Sequence, residues 1–156
     1  MKKSVLFVTL RNSSFTLPVS QGFKELGFEV HLFDYLKPDL VARGLGLIAN
    51  ISFDSKFDSL YRKWINHKLL KSVIQKRPNY LFVIKGNTLD RQTLEIIKKI
   101  GTITINWFPD NIGSWKLIMQ TAQSYDYYVS VCKYLTKKLN ENKRPTLYLP
   151  VADIAD

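Results

Sequence analysis

Strand-like and helix-like segments alternate almost without exception along this 156-residue chain, and that alternation leaves few folds open to it. Ser4–Leu10 reads as a strand, Arg11–Ser14 as a loop, and Phe15–Leu26 as a helix that Ser13 or Ser14 can cap and Gly27 ends. Phe28–Phe33 is a second strand, closed by Asp34. An irregular stretch rich in glycine and polar residues, Tyr35–Ser55, precedes a long basic helix over Lys56–Arg77, which Pro78 stops. Tyr80–Ile84 is the third strand, and Lys85-Gly86-Asn87 leads from it into a helix over Asp90–Ile100 with Gly101 behind it. The same cadence continues with a strand at Thr102–Trp107, a helix at Ser114–Ser124 and a strand at Tyr127–Val131. A helix at Lys133–Glu141 and a last strand at Thr146–Leu149 complete it before Pro150.

Strands apolar on both faces, each followed by a helix, imply an α/β fold: a Rossmann-like, doubly wound, mostly parallel sheet with helices on both faces, joined by right-handed crossovers. With 46% hydrophobic residues and no Pro/Gly/Ser-rich linker, the chain can bury one core, so residues 1–149 are read as one domain. In such sheets ligands bind beyond the carboxyl ends of the strands. That rule gathers Arg11 to Ser14, Asp34, Lys85 to Asn87, Asp110 to Ser114 and Ser130 to Lys133 along one edge. The junction after the fourth strand is the most informative of these. Alternating Thr and Ile give way to Trp107-Phe108-Pro109, and Asp110 and Asn111 then stand where the chain leaves the sheet, as turn-formers or as working groups.

The formal charge of +10 falls largely in two helical segments. Lys56–Arg77 holds Lys56, Arg62, Lys63, Lys68, Lys71, Lys76 and Arg77 against Asp58 alone, and Lys133–Arg144 holds five bases against Glu141. In the first, Leu60, Tyr61, Trp64, Ile65, Leu69, Val73 and Ile74 recur at spacings of three and four, which predicts one continuous apolar stripe with the bases on the solvent side. That face is read first as solvated, second as meeting an anionic membrane surface, and last as meeting nucleic acid, for which no module matches. No apolar run is long enough to span a bilayer and the N-terminus lacks a signal-peptide pattern, so the expected location is cytoplasmic, with attachment to the inner face of the membrane as its variant. The single cysteine, Cys132, excludes an internal disulfide and any multi-cysteine metal site and reads as core filler.

Several chemistries drop out on missing motifs. The loop after the first strand, Thr9-Leu10-Arg11-Asn12-Ser13-Ser14, contains no glycine, so neither a dinucleotide fingerprint nor a P-loop is present. A phospho-receiver domain needs paired acids there and an aspartate after the third strand, where this chain has Arg11-Asn12 and Lys85-Gly86. His31 and His67 lie apart, which leaves no histidine cluster for a metal and no serine triad.

What remains is an ordered set of segments. These are Lys76-Arg77-Pro78-Asn79-Tyr80 through Lys85-Gly86, Thr93-Leu94 through Lys98-Lys99-Ile100-Gly101, Asn106-Trp107-Phe108-Pro109-Asp110, Tyr125-Asp126-Tyr127-Tyr128-Val129, and Leu147-Tyr148-Leu149-Pro150-Val151-Ala152. In order and spacing they resemble the N-terminal half of spore-maturation-type (CgeB-like) GT-B glycosyltransferases, over roughly residues 70 to 152. Lys24-Glu25-Leu26-Gly27-Phe28-Glu29-Val30 is similar to a helix-Gly-strand step found in many GT-B enzymes, a less specific sign.

The resemblance implies two Rossmann-like halves with the active site between them and the nucleotide-sugar donor held mainly by the C-terminal one. Residues 150–156 then look like the start of an interdomain linker, and the chain like an excised domain, a truncated product or half of a split enzyme, without donor binding of its own. No cofactor is implied beyond that nucleotide-sugar co-substrate, and no metal. The partners implied are a sugar acceptor of unspecified type and a C-terminal GT-B domain in cis or in trans. Asp110 becomes the candidate catalytic residue, orienting the acceptor or taking its proton, with orientation favoured. Lys85 would meet donor phosphate or an anionic acceptor, Gly86 would permit close backbone approach, and Asn87 and Asn111 would line the same edge. Arg11, Asn12 and Ser13 replace the glycine-rich loop of many GT-B enzymes. Trp107 and Trp115 bracket Asp110 as sugar-stacking rings or as packing, and Tyr35–Ser55 would cover the edge. A reading from another class stays open on charge alone: a non-catalytic docking module whose basic face binds an anionic membrane or polymer.

Overall fold

Val5, Leu6, Phe7 and Val8 are each fully buried although successive strand side chains point to opposite faces, so their strand has protein packed on both sides. This comes from a computed structural model, which describes residues 2–9, 13–34, 55–86, 88–109 and 115–150. In chain order the elements are β1 (Ser4–Thr9), α1 (Thr16–Glu25), β2 (Glu29–Asp34), α2 (Ser55–Lys76), β3 (Tyr80–Ile84) and α3 (Arg91–Lys99). They continue with β4 (Ile103–Phe108), α4 (Trp115–Ala122), β5 (Tyr127–Ser130), α5 (Lys133–Glu141) and β6 (Thr146–Tyr148). The six strands form one sheet, parallel throughout, in the order β2-β1-β3-β4-β5-β6. The chain therefore steps outward from β1 to β2, crosses back to the other side of β1 for β3, and builds outward again. This is a Rossmann-like, doubly wound α/β fold whose order reverses between β1 and β3. The expected segments Tyr35–Ser55, apart from Ser55 at the start of α2, and 151–156 lie outside the described residues.

Side-chain parity assigns the helices to faces. Leu6 and Val8 of β1 and Leu81 and Val83 of β3 pack with Leu69 and Val73 of α2 and Leu94 and Ile97 of α3. On the same face Phe108 and Tyr128 pack with Ile118 and Ala122 of α4 and Leu135 and Leu139 of α5. The opposite face carries Phe7, Ile84, Trp107 and Val129, packed with Phe15 and Val19 at the start of α1. Among the described residues, then, one face bears four helices and the other one. Helices on both faces were expected, but the division is four to one, and the α1 face of the outer strands leaves Ile103, Tyr127 and Leu147 exposed.

The long basic helix departs from its expected pattern. Ile65, Leu69 and Val73 face the sheet, whereas Leu60 and Ile74 stand in solvent on the far side of α2 among the bases. Adjacent residues differ by about 100° around a helix, so the neighbours 60/61, 64/65 and 73/74 cannot share one face. The presumed single stripe is two opposed ones.

Polar side chains fasten the edge of the sheet where the strands begin. Asp126 Oδ2 accepts from the backbone N–H and hydroxyl of Thr104 at 2.8 and 2.9 Å, and the Asp126 N–H donates to the Thr104 carbonyl at 3.0 Å. Lys98 Nζ lies 3.6 Å from the other carboxylate oxygen. Asp126, part of a segment that carried the family resemblance, thus ties β4 to the loop before β5 at the edge opposite the ligand side. Hydrogen bonds to a charged group contribute about 1.5–3 kcal/mol and Thr104 is fully buried. Asp126→Ala is expected to cost about 2 kcal/mol in urea unfolding; an unchanged midpoint would show the cluster to be energetically idle.

Candidate ligand edge of the sheet

The strand ends nearest the β1/β3 reversal are where this architecture makes a crevice. At the end of β1, the Thr9 and Thr16 hydroxyls meet at 3.1 Å, both side chains buried, which locks the strand to the first turn of α1. The Ser13 carbonyl accepts from the Thr16 N–H at 3.0 Å and its hydroxyl lies 3.4 Å from the Phe15 N–H. Of the two serines proposed as caps, Ser13 is the one that bonds to this turn, although the residue flanking the helix itself is Phe15. Arg11 and Asn12 lie outside the described residues.

Beside it, β3 ends in an unusual turn. The Gly86 N–H donates to the Ile84 carbonyl two residues back at 2.9 Å, closing a γ-turn around Lys85, whose φ is +65°. A β-carbon makes this left-handed conformation costly, on the order of 1–3 kcal/mol, so the surroundings must impose it. They do so from β4: the Lys85 N–H donates to the Trp107 carbonyl at 3.0 Å, and Asn106 Nδ2 donates to the Lys85 carbonyl at 3.0 Å. Gly86 follows at φ +74°, and a β-carbon on it would lie 2.5 Å from the Tyr125 hydroxyl and 2.9 Å from Asn106 Nδ2. The space beside Gly86 is filled by the protein's own side chains, which is why a glycine stands there.

Trp107 is only 6% exposed, with its ring edge-to-face against Phe15 at 5.0 Å. The ring is core, and its Nε1 has no hydrogen-bond partner among the described residues. Asn106, fully buried on the other face, has the same vacancy of partners at Oδ1. Buried groups of this kind take a water or a ligand atom in most proteins. One buried donor and one buried acceptor therefore stand near the end of β4, on opposite faces of the sheet.

Contacts chain together Ser13, Phe15, Trp107, Lys85 and Gly86. Trp115 does not join them: it opens α4, in the helix layer on the face opposite Trp107, and is 37% exposed. Residues 110–114, which join the two rings, lie outside the described residues. Asn87, Asp110 and Asn111 lie outside the described residues. On the far side of β1, burial and the Asp34 carboxylate push the Tyr61 phenol above its ordinary pKa, which sets the first half of α2 against the end of β2.

Sequence reading passed over Asn66 of α2. It is 4% exposed; its Nδ2 donates to the carbonyls of Arg62 and Thr88 at 2.8 and 2.9 Å, and its Oδ1 accepts from the Asp90 N–H at 2.9 Å. The amide clamps the loop that follows Gly86 onto the helix layer. A signal for it existed, since an asparagine three residues before Leu69 and seven before Val73 sits on a buried helix face.

Elsewhere, Cys132 is half-buried against the cluster of α4 and α5, and its N–H donates to Ser130 Oγ at 3.1 Å. Among the described residues no group of three His, Cys, Asp or Glu side chains gathers to hold a metal ion, and no helix is long and apolar enough to cross a membrane. Set against known proteins, the chain matches no family model and no curated protein.

Proposed function

We propose that this domain is the acceptor-side half of a glycosyltransferase, completed by a second Rossmann-like domain that holds the nucleotide-sugar donor. The observation that carries the reading furthest is Lys85, a lysine kept in a left-handed γ-turn at the strand end beside the order reversal. Strain of this size persists in a fold where something other than stability favours it. An ammonium there suits an anionic acceptor, or the donor's phosphate once a second domain presents it. The indole N–H of Trp107, buried and without a hydrogen-bond partner among the described residues, supplies a donor of the kind that a hydroxyl oxygen satisfies. Asp110, two residues beyond the last residue of β4, keeps its proposed part in orienting the acceptor hydroxyl. The resemblance in segment order supplies the reaction class, and the edge supplies groups consistent with it.

The test uses amide and indole NMR of this chain, which has three tryptophans and so three indole N–H signals. Titration with a panel of mono- and disaccharides is expected to move the Trp107 indole signal and the Lys85 and Gly86 amides. Nucleotide-sugars alone should leave those signals in place. Lys85→Gly removes the charge and relieves the positive φ, so it is expected to fold at least as stably, by up to about 1 kcal/mol, while weakening the response. Sugars that perturb other parts of the surface and never this edge would retire the reading.

A further inference from the structure

Among the described residues, ion pairs hold cations of α3 and α5. Arg91 pairs with Glu95 within α3 at 2.7 Å, Lys98 reaches Asp126 at 3.6 Å, and Lys138 reaches Glu141 within α5 at 3.5 Å. On α2, Lys56, Arg62, Lys63, Lys68, Lys71 and Lys76 stand against Asp58 alone. Among the described residues no ion pair holds Lys63 or Lys71. Lys63, His67 and Lys71 succeed one another at four-residue steps along the outer surface, with Lys68 three residues before Lys71. Like charges three residues apart, as at Lys68 and Lys71, weaken an isolated helix.

The same outer surface is not simply polar. Leu60 and Ile74 are 51% and 52% exposed on it, and Trp64 lies between them, half-buried. Tyr61 stacks on the Trp64 ring at 5.9 Å and the Lys68 ammonium lies 4.3 Å above it, so the ring already has its stacking partners within the helix. A nucleic-acid strand would want such a ring open to its bases. Aliphatic side chains set among lysines over roughly 20 Å of helix suit a different surface, in which apolar groups enter between headgroups while lysine stems lie along them and raise their charges.

We propose that the outer face of α2, made by Leu60, Lys63, Trp64, His67, Lys71 and Ile74, docks on an anionic lipid surface. The aliphatic groups enter the headgroup layer and the lysines meet lipid phosphates. The proposal does not rest on sugar transfer, and its test involves no sugar.

The test is flotation of the whole chain with mixed phosphatidylglycerol–phosphatidylcholine vesicles and with pure phosphatidylcholine vesicles. Binding is expected to the mixed vesicles and to fall as salt is raised. Each lysine near an anionic surface contributes about fivefold to partitioning, so Lys63→Gln/Lys71→Gln is expected to weaken binding roughly 25-fold. Lys133→Gln/Lys137→Gln on α5 removes the same charge and is expected to change binding far less. Leu60→Ser/Ile74→Ser is expected to leave weak binding at low salt that vanishes sooner as salt rises. All of these side chains are exposed, with Lys133 lying over the Tyr148 ring, and melting curves check that the variants remain folded. Equal losses from the α2 and α5 pairs, or equal binding to both vesicle types, would overturn the proposal. So would a single-stranded oligonucleotide that displaces the chain from vesicles and depends on Lys63 and Lys71.

Discussion

Gly86→Ala is expected to lower the unfolding free energy by about 3 kcal/mol, with a fall in melting temperature of roughly 6 to 12 °C. Two costs add. An alanine at φ +74° sits in left-handed backbone space, which costs about 1–2 kcal/mol. Its β-carbon would also press on the Tyr125 hydroxyl at 2.5 Å and on Asn106 Nδ2 at 2.9 Å. Neither neighbour can yield freely. Tyr125 is 6% exposed within the core cluster, and Asn106 is fully buried and bonded to the Lys85 carbonyl. Overpacking of this sort costs about 1–3 kcal/mol. Gly22, inside α1, offers the contrast: a β-carbon there meets nothing within 4 Å. Gly22→Ala is therefore expected to raise stability by about 0.5–1 kcal/mol through helix propensity. Chemical denaturation of both variants checks the pair, and a neutral Gly86→Ala would mean that β3 and β4 can part without cost.

The same glycine shows how far sequence reading reached. A glycine after a strand and before a helix marks an edge turn, and the strand ends named from the alternation fall on one edge of the sheet as expected. What the sequence cannot carry is which neighbour needs the glycine, because Tyr125 and Asn106 arrive there only when the sheet forms. The γ-turn at Lys85 is hidden for the same reason: its φ is imposed by bonds from β4, more than twenty residues away in the chain. Asp126 and Asn66 were overlooked as structural residues since both are polar groups that act through backbone partners brought close by the fold. The outer stripe of α2 was misread for a local reason. Apolar residues at steps of three and four can pass from one helix face to the other through adjacent pairs, and only the packed sheet decides which set is buried.

Asn66→Ala is expected to cost about 3 kcal/mol, a large effect for one exchange remote from the ligand edge. The amide satisfies three backbone groups at once, and truncation leaves the Asp90 N–H and the Thr88 carbonyl without that partner. A buried backbone group deprived of its bond costs about 1–3 kcal/mol, and the loss of the side chain from a 4% exposed position adds a small cavity. Asp90 flanks the start of α3 in an extended conformation and has no side-chain cap of its own, so the Asn66 amide is what holds the entry of that helix. Among the described residues, what then remains within the loop is the bond from the Leu89 N–H to the Gly86 carbonyl at 3.1 Å. Hydrogen exchange separates this from a general loss of stability. The Asp90 amide should exchange far faster in the variant relative to core amides such as that of Leu81, and the Lys85 and Gly86 signals should broaden with it. Uniform loss of protection across the molecule would instead make Asn66 an ordinary core residue, with no special hold on the edge where Lys85 stands.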